Sequence, residues 1–217
     1  MNITKLVTGP LSVNTLFIPI DSRRTAVVDP GGDIELIIAH LARVHAVPAL
    51  LLLTHGHFDH MIALPSLSRA FPDADIAIHG ADAEFLGAGA LKRHHAFFEE
   101  LGAGAMIKRF QDQLPDATII LEEEKPIILH DGTVFSGWKV LHTPGHSPGS
   151  VCLYNAEEKT LISGDTLFSS GFGRTDASGG SLQLLENSIE RLFALPEDTR
   201  VLPGHGRETT IGAERSL

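Results

Sequence analysis

Residues 49–60 read ALLLLTHGHFDH, an apolar run that passes directly into a cluster of histidines. The apolar part, 49–53, has no polar face, which is typical of a strand buried between two layers. In an extended backbone, side chains two apart share a side, so His55, His57 and Asp59 can converge, while His60 falls on the other side as a helix begins. Three imidazoles and one carboxylate at the end of a rigid strand predict a metal-chelating site.

Three further segments of the sequence resemble residues 54–60, because each is a predicted turn that carries a potential metal ligand. Each follows a predicted strand, contains Gly or Pro-Gly, and offers one ligand: His146, Asp165 and His205. Four such corners together supply enough ligands for two metal ions once a bridging water is counted. The candidate ligands are His55, His57, Asp59, His60, His146, Asp165 and His205.

Charge arithmetic supports a pair of ions. Two divalent cations bring a charge of about +4, Asp59 and Asp165 offset about two of these, and a bridging hydroxide offsets one more, which leaves about +1. This residual charge suits a developing oxyanion or a thiolate leaving group. A carboxylate between the ions, as we expect of Asp165, would also screen their repulsion.

The chain as a whole predicts a single α/β domain over residues 1–217, with two sheets face to face and helices outside. Alternating or continuous apolar runs predict strands at 15–18, 25–29, 49–53, 75–78, 118–121, 127–129, 133–141, 151–154, 160–162 and 200–202. Helical spacing predicts helices from 33 to 44, from 59 to 70 and from 181 to 194, and residues 81–116 read as a helix with a mobile loop.

Composition excludes several classes of function. The chain has 217 residues, 17 basic and 27 acidic side chains, 12 His and one Cys. A single Cys excludes an internal disulfide and any multi-cysteine zinc cage. The acidic balance argues against nucleic acid and anionic membrane as partners. The first residues lack a secretory signal and no apolar run could span a membrane, so we expect a cytoplasmic protein.

The spacing His55-x-His57-x-Asp59-His60, followed by His146, Asp165 and His205, resembles the metallo-β-lactamase superfamily, and more closely its glyoxalase II (hydroxyacylglutathione hydrolase) type. The resemblance implies a four-layer αβ/βα sandwich with two mixed sheets and the site at one edge. It also implies which ligands share an ion: His55, His57 and His146 for the first, Asp59, His60 and His205 for the second, with Asp165 bridging.

The predicted function is hydrolysis of a small-molecule thioester, such as S-lactoylglutathione, by a hydroxide bridging two divalent ions. Asp59 would orient this nucleophile while it binds metal. Zinc is the first expectation for the ions, with iron or manganese as alternatives, because the ligands include no thiolate.

Two departures from the family leave alternatives open. Full-length glyoxalase II enzymes carry a C-terminal helical domain with glutathione contacts, which we do not expect in this chain. The segment from Gly173 to Asp176 is similar to one in persulfide dioxygenases, which hold a single iron; His55, His146 and Asp165 would meet that need. The corner around His205 favours the hydrolases. A non-enzymatic, metal-stabilised binding module is a third alternative.

Several residues outside the candidate ligand set also call for an interpretation, and some of them allow two. Arg174 is either an anion clamp or a structural partner of a carboxylate such as Asp29. His142 is either a hydrogen-bond partner of a ligand or a surface residue. Phe97 and Phe98 either cover the site as a lid or belong to the core. Cys152 reads as buried packing. Lys108 and Arg109 are candidates to meet an acidic substrate.

Overall fold

The computed structural model describes residues 2–108 and 110–215, and these form two β-sheets flanked by helices. The strands are β1 (Thr4–Thr8), β2 (Val13–Pro19), β3 (Arg24–Val28), β4 (Val47–Leu52), β5 (Asp75–His79), β6 (Ile119–Leu121), β7 (Lys139–His142), β8 (Val151–Asn155), β9 (Thr160–Gly164), β10 (Leu167–Phe168), β11 (Gly171–Phe172), β12 (Arg200–Pro203) and β13 (Thr209–Thr210). The helices are α1 (Ile34–Arg43), α2 (Leu64–Ala70), α3 (Ala90–Glu100), α4 (Gly104–Ile107), α5 (Leu182–Phe193) and α6 (Ile211–Arg215).

Both large sheets are mixed. The first has the order β1-β2-β3-β4-β5-β6, antiparallel up to β3 and parallel from β3 to β6. The second has the order β13-β12-β9-β8-β7, in which β9 and β12 are parallel. Strands β10 and β11 form a small separate hairpin. The turn between β2 and β3 spans residues 20–23.

Three apolar clusters separate four layers. Leu50 and Leu52 point between the two sheets, whereas Leu51 and Leu53 point toward α1, α2 and α3. Strand β4 is therefore apolar on both faces, because each face packs against a different layer. On the far side of the second sheet, α5 packs Leu192 against a third cluster. The predicted four-layer αβ/βα sandwich is confirmed.

Some predicted boundaries are wrong. The helix predicted over 59–70 is a single 3₁₀ turn at Phe58–His60 followed by α2, which begins at Leu64 with Pro65 in its first turn, where proline is tolerated. The strands predicted at 127–129 and 133–141 shrink to one isolated bridge and β7, because Gly132 and Gly137 turn the backbone at positive φ.

Residues 81–116 are more helical than the sequence suggests. They contain the end of a 3₁₀ helix at Gly80–Phe85, then α3 and α4. Strand β1 was missed because its outward residues obscure the alternation. The assignment of 1–217 to a single domain without a glutathione-binding helical domain stays a prediction.

Candidate metal centre

The seven predicted ligands lie at one edge of the sandwich, where strands of both sheets end. His55 follows β4 of the first sheet by three residues. In the second sheet, Asp165 follows β9 directly and His205 lies two residues beyond its parallel neighbour β12. His146 lies in the turn after β7. Parallel strands and facing sheets thus bring together residues that are far apart in the sequence.

The structure brings all seven residues into three overlapping groups. Within each group, the potential ligand atoms lie within 4.8 Å of one another. The groups are His55, His57 and His146; His55, His60 and Asp165; and Asp59, His60 and His205. Six of these seven residues have side chains that are largely buried, and His205 is the more exposed one at the rim.

The separations match those of ligands that share an ion. His60 Nε2 lies 3.4 Å from Asp165 Oδ1, and His205 Nε2 lies 3.4 Å from Asp59 Oδ2. His146 Nε2 lies 3.6 Å from Asp165 Oδ2. Two ligands at zinc-like bond lengths in a tetrahedron are about 3.3 Å apart. Asp165 therefore faces groups on both sides of the cluster, since its Oδ2 also lies 3.6 Å from His205 Nε2.

Three buried polar atoms of the cluster have no hydrogen-bond partner: His55 Nε2, His146 Nε2 and Asp165 Oδ1. Leaving such atoms unpaired costs about 1–3 kcal/mol each. Bound divalent cations would satisfy these atoms, because each presents a lone pair. The donor set fits a metal centre built of imidazole and carboxylate, without thiolate.

Hydrogen bonds on the far side of the imidazoles orient the rings. The Nδ1 atoms of His55, His60, His146 and His205 contact Thr54 Oγ1 at 3.0 Å, Asp29 Oδ2 at 2.9 Å, Arg174 O at 2.8 Å and Leu11 O at 3.0 Å, respectively. The last three acceptors carry no proton, so each Nδ1 donates. The Nε2 lone pair of these rings is thereby left for an ion.

Thr54 determines the tautomer of His55, the fourth of these imidazoles. Its hydroxyl donates its one proton to Asp29 Oδ2 at 2.8 Å, so the contact with His55 must run from Nδ1–H to Thr54 Oγ1. Asp29 also accepts from Thr54 N and from His60 Nδ1. One carboxylate therefore orients ligands in two of the groups. Asp29 lies in the left-handed region with φ 50°, at the turn that follows β3.

A second carboxylate, Asp82, joins the two loops that carry the three-histidine group. It is fully buried, and its oxygens accept from Gly56 N at 2.7 Å, Ser147 Oγ at 2.6 Å and Gly149 N at 2.7 Å. Gly56 lies between His55 and His57, so this contact sets where the first loop stands relative to the second. Sequence reasoning missed Asp82 entirely and did not place Asp29 in the site.

Burial and charge divide the cluster into two halves. Burial, with help from neighbouring imidazoles, lowers the pKa of His55 well below its usual range and lowers that of His57 to about 3. Burial acts in the same direction on His60, but Asp165, Asp29 and Asp59 outweigh it and raise the pKa of His60 well above its usual range. His55 and His57, in the three-histidine half of the cluster, therefore present neutral imidazoles, whereas carboxylates dominate the half around His60.

Glycines leave room beside the ligands. A Cβ on Gly204 would overlap Asp165 Oδ1 and lie 2.8 Å from His60 Cε1. A Cβ on Gly173 would overlap the Asp165 carbonyl and lie 2.9 Å from His146 Nδ1. The glycines at these two corners allow the backbone to approach the cluster closely.

A cleft of about 340 Å³ opens onto the cluster. Phe97 and Phe98 of α3 belong to the apolar core, as one of the two interpretations predicts, and they also form part of the cleft wall. The ring centroid of Phe97 lies 4.8 Å from that of His57. Lys108 is exposed and does not line this cleft, and Arg109 lies outside the described residues.

The remaining alternatives are resolved by contacts. Arg174 donates to Asp176 from Nε and Nη2, at 2.7 and 3.0 Å, so it pairs with a carboxylate, as one interpretation predicts, but that carboxylate is Asp176 and not Asp29. His142 stacks on His79 with centroids 4.1 Å apart, and its Nε2 contacts a backbone carbonyl rather than a ligand. The interpretation of Cys152 as buried packing is confirmed.

None of the helices in the described part of the chain combines the length and the apolar character needed to cross a bilayer.

Comparison with known proteins agrees with this geometry. A family model described as the metallo-beta-lactamase superfamily matches residues 8–205. The hydroxyacylglutathione hydrolase GloC of Haemophilus influenzae is 33% identical over 219 residues, covering 99% of this chain and 95% of the relative.

Two solved structures are similar along their whole length. The BLEG-1 B3 metallo-beta-lactamase is 36% identical with a TM-score of 0.84, covering 100% of this chain and 97% of that one. TTHA1623 in a di-iron-bound form is 32% identical with a TM-score of 0.81, covering 98% and 96%. The predicted resemblance to the superfamily and its hydroxyacylglutathione hydrolase type is confirmed.

Proposed function

The chain belongs to the metallo-beta-lactamase superfamily, and from this premise we propose that it is a binuclear metallohydrolase that cleaves a thioester. The observation that carries the proposal is the convergence of seven side chains that each offer a nitrogen or oxygen ligand atom. Three polar atoms of these side chains are buried and have no hydrogen-bond partner. A purely structural site would have no need of a cleft that reaches the donors, as this one does.

We propose the following assignment of residues. His55, His57 and His146 would hold one ion, Asp59, His60 and His205 the other, and Asp165 both. Bound ions of this kind lower the pKa of water to about 7 and polarise a carbonyl. Zinc is the first expectation, and iron is supported by the di-iron form of a similar protein.

The chain's own residues would position the reactants. Asp59 and Asp165 both line the cleft and are held as carboxylates, because neighbouring imidazoles outweigh burial and lower the pKa of each. Asp59 would accept a hydrogen bond from the nucleophile and so orient it toward the substrate carbonyl. The thioester would lie in the cleft against α3. Hydroxyacylglutathione hydrolase activity of one relative supports a glutathione-linked acyl group among the candidate substrates.

The alternative is a persulfide dioxygenase with a single iron. Such a site needs only two histidines and one carboxylate. The position of Asp59, His60 and His205 within one ligand group favours the binuclear hydrolase, since a mononuclear centre would not need these three as ligands.

The test combines metal analysis of the purified chain with two assays, hydrolysis of S-lactoylglutathione and oxygen uptake with glutathione persulfide. We expect two metals per chain and thioester cleavage. Asp165→Ala and His57→Ala should lose both metal and turnover, whereas His130→Ala, at an exposed histidine paired with Asp75, should keep both. One iron per chain with oxygen uptake would replace the hydrolase by the dioxygenase, and a variant that lost metal but kept its rate would refute both.

A further inference from the structure

The cleft at the donor cluster has an apolar lining. Five of the residues that line it belong to the candidate metal ligands. The others are Leu11, Phe97, Phe98, Leu101, Ala103 and Arg174. Apart from the ligands, the described lining therefore consists of five apolar side chains and one cation.

The apolar residues lie directly against the cluster on two sides. The Leu11 carbonyl accepts the hydrogen bond from His205 Nδ1, which places the loop between β1 and β2 beside the second half of the cluster. Across the cleft, the Phe97 ring packs on His57 of the first half. A group that projects from the reacting carbonyl must therefore run along apolar surface.

The α3 wall is held in place before any substrate binds. Phe97 and Phe98 are only 8% and 6% exposed, and Phe98 contacts the Phe58 ring edge to face. At the end of α3, Glu100 Oε2 accepts from Ser178 Oγ at 2.5 Å, which ties the helix to the loop on the other side of the cleft. A preformed apolar wall loses little entropy on binding, so contact with it contributes to affinity.

The one cation of the lining already has an ion-pair partner. Arg174 forms a two-pronged ion pair with Asp176, at 2.7 and 3.0 Å. Glutathione carries two carboxylates, which need cationic or hydrogen-bonding partners when they are bound. Within the described lining, no unpaired cation is available for them.

We propose that the cleft binds an apolar substrate arm, and that the preferred substrates are thioesters with an apolar acyl chain on a neutral thiol carrier. This inference rests on the proposed thioesterase function and specifies its substrate class. Leu101 and Leu11 then act as specificity-determining residues, because they line the cleft without belonging to the donor cluster.

The test uses the metal-reconstituted full chain with acetyl, butyryl and hexanoyl thioesters of N-acetylcysteamine, beside S-lactoylglutathione. We expect kcat/KM to rise by about fourfold for each methylene that becomes buried. Leu101→Ala should lower kcat/KM for the hexanoyl thioester about tenfold and leave the acetyl thioester within about twofold. Leu182→Ala, at an exposed leucine of α5, is the matched control and should change neither.

Binding of the product carboxylates, measured by titration calorimetry, separates this inference from the proposed reaction. Hexanoate should bind more tightly than lactate to the wild-type chain, and Leu101→Ala should reduce the difference by about tenfold. If no thioester is cleaved, the hydrolase proposal fails, but this binding comparison still decides whether the cleft binds an apolar arm. Equal rates along the acyl series, faster turnover of S-lactoylglutathione, or lactate binding as tightly as hexanoate would each overturn it.

Discussion

Replacing Asp82 by Asn tests whether a residue outside the ligand set positions the metal centre. The carboxylate accepts three buried hydrogen bonds, from Gly56 N, Ser147 Oγ and Gly149 N. An Asn side chain keeps one acceptor oxygen and turns an NH₂ group toward the other position. Since a backbone N–H points at each carboxylate oxygen, either orientation of the amide places two donors face to face.

The expected loss of stability follows from these contacts. At least one buried N–H is left unpaired, which costs about 1–3 kcal/mol, and the remaining bonds lose the strength that a charged acceptor gives them. We therefore expect Asp82→Asn to lower the free energy of unfolding by about 2–4 kcal/mol. Because Gly56 lies between two ligands, the affinity of the three-histidine half for metal should fall by about tenfold or more.

The measurements are guanidinium unfolding of the metal-free chain and competition with a coloured chelator for the metal. Asp75→Asn is the matched control: Asp75 is 4% exposed and accepts from Thr118 Oγ1 and His130 N, both at 2.8 Å, in a strand at the opposite end from the cluster. It should lose similar stability and keep its metal affinity. Equal metal affinity in wild type and Asp82→Asn, or an equal loss in both variants, would refute the positioning role.

Three further outcomes are expected. Gly204→Ala should purify with less metal by elemental analysis, because the new Cβ overlaps Asp165 Oδ1; full metal content would contradict the packing argument. Asp29→Asn should weaken metal binding by about 10–100-fold in the same chelator competition, since the amide keeps only one acceptor oxygen for the donors of Thr54 and His60, and unchanged affinity would exclude this role. Burial raises the pKa of Cys152 to about 11, so a disulfide reagent at pH 8 should label the unfolded chain and leave the native chain unlabelled; rapid labelling of the native chain would show that the thiol is accessible.

The candidate ligands were predictable from sequence because they lie in the turns that follow strands. A buried apolar run indicates where a strand ends, and Pro or Gly indicates the turn that follows it. The local pattern therefore identifies the residues at 55, 146, 165 and 205 as candidates. Their convergence then follows from layer packing, since strands that end at one edge bring their corners together. Element boundaries are less well determined where glycine changes the backbone direction, as Gly132 and Gly137 do.

The residues that orient the ligands carry no such local pattern. Asp82 is one acidic residue in a 3₁₀ turn after β5, and its sequence neighbours resemble any exposed turn. Its role arises because β5 lies beside β4 in the first sheet, while β7 of the second sheet delivers Ser147 and Gly149 to the same point. A buried carboxylate with three donors is stable only in that assembled environment. The chemistry of the site can thus be inferred from single strands and turns, whereas the hydrogen bonds that hold its geometry depend on how the two sheets meet.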